Sequence, residues 1–183
     1  FADQYKYPTI DVGRANHKHA FLAVLMLLGT LAGCQDEISP LLSNCTAPTV
    51  SSGISLGTGK DEFEPTNSIE QALIVGGYQG GYHLWGAIKV PDRVAIDSIS
   101  RLHIQLCADD VLIAEALYGS VDSIHRSDSA LYGIPVVFAT GVDVQSLAGS
   151  TVTMVAGIET EGTPSFATTD VELECCGHVA DGD

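Results

Sequence analysis

From residue 54 onward, apolar residues recur at every second position in short runs broken by Gly, Asp, Asn and Pro. Leu102, Ile104 and Leu106 alternate with Arg101, His103 and Gln105. Val152, Met154, Ala156 and Ile158 alternate with Thr151, Thr153 and Val155, and Ala167, Thr169, Val171 and Leu173 with Thr168, Asp170, Glu172 and Glu174. A period of two places successive side chains on opposite faces of a strand. Over 82–90, Tyr82, Leu84, Ile88 and Val90 alternate with His83, Ala87 and Lys89, and Trp85 interrupts the polar side. Residues 54–59 and 72–76 read as two earlier strands, and 134–140 as one whose Pro135 suits an edge or a strand start. The stretch Val111–Tyr118 contains helix-forming Ala, Leu and Glu. Asp110 and Gly119 bound it tightly, however, so it is read as a strand returning from the 101–106 strand through an Asp109-Asp110 turn. About eight strands in ~125 residues, with no helix of useful length between them, predict an all-β domain of two stacked sheets.

The last pair of strands carries a likeness. Residues 147–154, Leu-Ala-Gly-Ser-Thr-Val-Thr-Met, through Val171-Glu172-Leu173 resemble the closing strands of immunoglobulin-like bacterial surface modules. The resemblance implies an immunoglobulin-like two-sheet sandwich. The Cys–Trp–Cys framework of antibody domains is not present: Trp85 precedes Cys107, but no cysteine sits in the strand before it.

Ahead of the strands, residues 20–34 read AFLAVLMLLGTLAGC, an apolar run preceded by Arg14 and Lys18 and ending in small residues before a cysteine. That is the layout of a secretory signal. As a helix, 20–33 rises only ~21 Å against ~30 Å of bilayer hydrocarbon, too short to span. Leu31-Ala32-Gly33-Cys34 resembles the lipobox of bacterial lipoproteins. The resemblance implies cleavage before Cys34 and lipidation of its thiol. Gln35, rather than Asp, after that cysteine implies the outer membrane by likeness to Gram-negative lipoproteins. Residues 1–16 precede the basic start of the signal, and translation is expected to begin near Val12. The expected organisation is therefore a signal peptide with an N-terminal extension over 1–33, a lipidated Ser/Thr/Pro/Asn-rich tether over 34–52, a domain over 53–176 and a polar tail over 177–183.

Removing 33 of the 183 residues leaves 150, enough for one domain with a real core. Three of the eight cations and two of the 23 acids lie in the removed segment, so five against 21 remain and the net charge is −16. Such a surface repels nucleic-acid phosphates and anionic lipid headgroups. The lipid, not a basic patch, must then make the membrane link, and nucleic acid is excluded as a partner class.

Beyond Cys34 four cysteines remain, Cys45, Cys107, Cys175 and Cys176, an even number in an exported chain. Because a bridge between neighbours is strained, Cys175 and Cys176 are expected to reach separately to Cys45 and Cys107, with either assignment open. The most unusual stretch, Gly76-Gly77-Tyr78-Gln79-Gly80-Gly81-Tyr82-His83-Leu84-Trp85, lets the backbone turn tightly or approach a ligand closely. Together with Gly57-Thr58-Gly59-Lys60-Asp61-Glu62-Phe63-Glu64-Pro65 it resembles a pattern in uncharacterised Gram-negative lipoproteins, which implies no particular activity. Gln79, Tyr82, His83 and Trp85 are the binding candidates. If 91–98 joined a hairpin, His83 and His103 would share its non-core face, and an alternative copper or zinc site would use both, with Cys107 nearby. Acidic turns such as Asp109-Asp110 are the calcium alternative. No phosphate-binding loop and no nucleophile elbow is present. The sequence thus predicts no catalytic residues and no cofactor. It predicts an envelope protein held by lipid, serving as a binding or structural module for an envelope protein or glycan.

Overall fold

The computed structural model describes residues 40–43, 45–46, 53–66, 71–77 and 81–178, all within one compact unit, Ile38–Asp183. The expected leader, the lipobox, Cys34 and Gln79 lie outside the described residues. The strands are β1 (Ser55–Thr58), β2 (Glu64–Pro65), β3 (Gln71–Gly76), β4 (Tyr82–Lys89), β5 (Ile99–Ala108), β6 (Val111–Tyr118), β7 (His125–Arg126), β8 (Ala130–Phe138), β9 (Thr151–Thr160) and β10 (Thr163–His178). Each of the eight expected strands forms, including Val111–Tyr118, and β10 runs two residues into the span read as a tail. The two-residue β2 and β7 were not legible.

The architecture corrects the expected immunoglobulin-like sandwich. Pairing runs from β3 to β4, β8, β6, β5, β9 and β10, and β10 returns to β3, closing a seven-stranded barrel. Two sheets expected to stack across a core are instead joined at both edges, through β4–β8 and β3–β10. A ring of seven cannot alternate direction all the way round, so one neighbouring pair at least must be parallel. Here that pair is β3 and β10, from Gln71↔Glu172 onward; the other six are antiparallel. Pro135 belongs to the ring rather than to an edge strand. It falls where the far edge of β8 is free of pairing, between β7 at Leu131–Tyr132 and β6 at Val137–Phe138, so its missing N–H breaks no ladder there.

Inward side chains fill the barrel, as small barrels require. Leu84, Ile88, Leu102, Ile104, Leu131 and Met154 are all fully buried, each contributing ~1.5–3 kcal/mol by leaving water. The ring also separates β4 from β5. A connection with a 3-10 turn at Ile96–Ser98 carries the chain past β8 and β6, so the hairpin across 91–98 on which the shared histidine face was conditional does not form.

Candidate functional site

One edge of β4 is taken along its length by β8. The other is shared: β3 pairs at Tyr82 and His83, and β1 takes over from Gly86 to Lys89. Where the two part, a cleft of about 150 Å³ opens in the barrel wall. It is lined by Leu84 and Trp85 of β4, by Ala72, Leu73 and Val75 of β3, and by Thr58, Gly59, Lys60 and Glu64 of the rim running from β1 to β2. Gly59 locks this rim down, donating its N–H to the Trp85 carbonyl (3.2 Å) and accepting from the Gly133 N–H (2.9 Å). Its φ of +125° lies in the region only glycine adopts freely, and a Cβ there would run into the Glu62 carbonyl. The cleft therefore has an apolar aromatic wall and a rim carrying a hydroxyl, a cation and a carboxylate. That combination suits a ring or side chain with an apolar face and polar edges.

Of the binding candidates, Trp85 lines the cleft. His83 packs edge-on against its ring, centroids 4.6 Å apart at 82°. Its Nε2 is buried with no hydrogen-bond partner among the described residues, and burial pushes the imidazole pKa below its ordinary value. Tyr82 turns the other way and packs against the core. The sequence missed Thr58, Lys60 and Glu64 as partners of Trp85, although the pairing of their segment with the glycine-rich one pointed there.

The histidine pair is not assembled into a metal site. His83 on β4 and His103 on β5 are separated by β8 and β6. Among the described residues, no group of three or more His, Cys, Asp or Glu is placed to hold a metal ion.

The outward face of β5 is covered instead. Residues 40–43 and 45–46 form a strap across it. The Leu42 N–H donates to His103 Nδ1 (3.1 Å), and the Cys45 N–H to Gln105 Oε1 (3.2 Å). Cys45 is bridged to Cys107, Cα atoms 5.8 Å apart. Gly157 of β9 makes room: a Cβ there would lie 3.0 Å from the Phe166 ring and 3.5 Å from Leu41. His103 and Gln105, outward on a strand, are 0% and 3% exposed as a result. Part of the span read as a tether is thus fastened to the barrel wall.

The cysteine pairing corrects the expected cross-links: Cys45 and Cys107 are bridged to each other, so neither is joined to Cys175 or Cys176. The register gives the reason. Cys107 is level with Thr153, and Thr153 with Asp170, so Cys175 lies two strands over and five residues further on. At strand spacing that is on the order of 15–20 Å, well beyond the ~7 Å a disulfide spans.

No protein-family model matches the chain, and no curated protein matches its sequence.

Proposed function

We propose that this chain is an exported, lipid-anchored protein of the cell envelope whose β-barrel is a non-catalytic binding module. The observation that carries the reading is the Cys45–Cys107 bridge, which fastens the strap eleven residues after Cys34. Disulfides of this kind persist in oxidising compartments and are rare in the cytosol. The leader supports export, and the lipobox-like residues supply the point of attachment. Fully extended, eleven residues reach at most ~40 Å, so a lipid on Cys34 keeps the β5 wall within that distance of the bilayer. A diacylglyceryl thioether gives the two chains that stable anchoring needs, against the repulsion of a −16 surface. The Trp85 cleft is the binding site in this reading. At about 150 Å³ it takes one ring or one side chain of an envelope glycan or protein, not a whole drug-sized ligand.

Mass spectrometry of membrane-extracted protein tests the anchor. A diacylglyceryl mass on a peptide beginning at Cys34, together with a bridged Cys45/Cys107 peptide, is expected. A soluble, uncut chain with free thiols overturns the reading. Trp85 is the single tryptophan, so its fluorescence reports the cleft directly during titration with envelope glycan fragments. Emission unchanged by every fragment removes glycans as the partner class.

A further inference from the structure

We propose that His103 is a proton-operated latch on the strap: neutral, its Nδ1 holds the Leu42 N–H, and protonated, it lets residues 40–43 go while Cys45 stays tied to Cys107. The geometry fixes the tautomer. Nδ1 accepts from Leu42 at 3.1 Å, so the ring proton sits on Nε2, which faces Glu115 Oε2 at 3.3 Å. A second proton has only Nδ1 to go to, and there it meets the Leu42 N–H, donor against donor. A buried N–H facing a donor has lost its acceptor and its water alike, so the strap residue moves rather than remain.

The surroundings allow the ring to titrate. From β6, Glu115 presents a half-exposed carboxylate that favours the imidazolium, and Leu117 stands level with the ring. From β9, Gly157 stands opposite, and one pair further along Glu159 is engaged by Arg101 of β5. On its own strand Gln105 is neutral and occupied by Cys45. From the strap, among the described residues, Leu42 meets the ring through its N–H. Burial, the larger influence, pushes the His103 pKa down against the pull of Glu115, so the latch opens at a lower pH than an unburied histidine would set.

The latch stands whether or not Cys34 carries lipid; only its consequence for reach rests on that reading. From Cys34 to Leu42 the chain extends at most ~29 Å, and to Cys45 ~40 Å, so opening lengthens the reach between anchor and barrel by about a third.

Amide hydrogen exchange of Leu42 in the mature chain, corrected for intrinsic rates, tests the proposal. Between pH 7.5 and 5 protection should fall about tenfold, what one ordinary hydrogen bond is worth. His103→Asn keeps an acceptor at the Nδ1 position without titrating and should hold its protection, and Glu115→Gln should move the wild-type midpoint to lower pH. Constant protection in the wild type, or an equal fall in His103→Asn, overturns the proposal. If His103→Asn does not fold, the wild type decides alone. The imidazole titration of His103 followed by NMR and the loss of Leu42 protection must share one midpoint, and separate midpoints overturn the latch. Mass spectrometry of Cys34 reads the anchor independently of either result.

Discussion

Removing the Cys45–Cys107 bridge should lower stability by an amount the loop itself sets. The two residues are 62 apart in sequence, and closing a loop of that size removes ~4 kcal/mol of unfolded-state entropy in the chain-entropy account. For ~150 residues each kcal/mol is worth ~2–4 °C, so the double substitution Cys45→Ala and Cys107→Ala should melt ~8–16 °C lower. Alanine is the suitable replacement because Cys107 is 4% exposed, and serine would bury a hydroxyl there. The ring does not pass through the strap: β5 keeps β6 and β9 whether or not Cys45 is tied. The far-UV circular dichroism of the variant should therefore match the wild type at 20 °C, with only the melting midpoint displaced. A midpoint within ~2 °C of wild type, less than one kcal/mol on that scale, would show that the bridge restrains nothing. So would two reactive thiols at these positions in protein purified without reductant.

Gly157→Ala places a methyl 3.0 Å from the Phe166 ring. It should cost ~1–3 kcal/mol by urea denaturation, and Leu42 amide exchange should rise more than exchange within β9; a neutral substitution contradicts the close approach. His103→Leu with Gln105→Leu makes the covered wall more apolar yet strips the Leu42 and Cys45 N–H groups of their acceptors. At ~1–3 kcal/mol for each orphaned group, the double variant should be less stable in urea, and a gain in stability refutes the role given to these two side chains. Finally, His83 and His103 both have folded-state pKa values lowered by burial, so the unfolded chain binds protons first as pH falls. Their contribution is complete above the unfolded value near 6.5 and is lost as pH drops below it. The urea midpoint should fall between pH 7 and 5, above the carboxylate range, and a midpoint that rises contradicts the sign.

The strands were legible because alternation is local. Leu102, Ile104 and Leu106 declare their shared face within five residues, and the Asp109-Asp110 turn, with φ of +48° and +63°, declares the β5–β6 hairpin. How the strands closed was not legible, because a sandwich and a barrel demand the same period of two. What separates them is β4 against β8 and β3 against β10, the latter joining Gln71 to Glu172. No local pattern records a parallel pairing at such separation. The same distance hid the fate of His103 and Gln105. Alternation put them correctly on the non-core face, and water was the natural expectation there. Their cover comes from residues 61 and 60 positions upstream. Trp85 was found because an aromatic among glycines stands out; Lys60 and Glu64 were not paired with it because exposed charges carry no address.

Barrel closure explains why the covered face of β5 is polar. A segment added to an open sheet can satisfy its backbone by pairing with an edge, but β5 is already paired on both sides, by β6 and β9, and β9 by β5 and β10. The strap therefore has no ladder to join. It lies across the outer wall, and its buried N–H groups need acceptors that the wall's backbone has already committed. Outward side chains are the remaining source, and a His and a Gln, two residues apart on one face, each supply one. An apolar wall would bury the strap's carbon more favourably and leave its nitrogen stranded. The residues that look like an ordinary solvated face in the sequence are thus what a closed barrel requires where a chain segment is to be fastened to its outside, and the disulfide acts at the next outward position, Cys107, to complete the row.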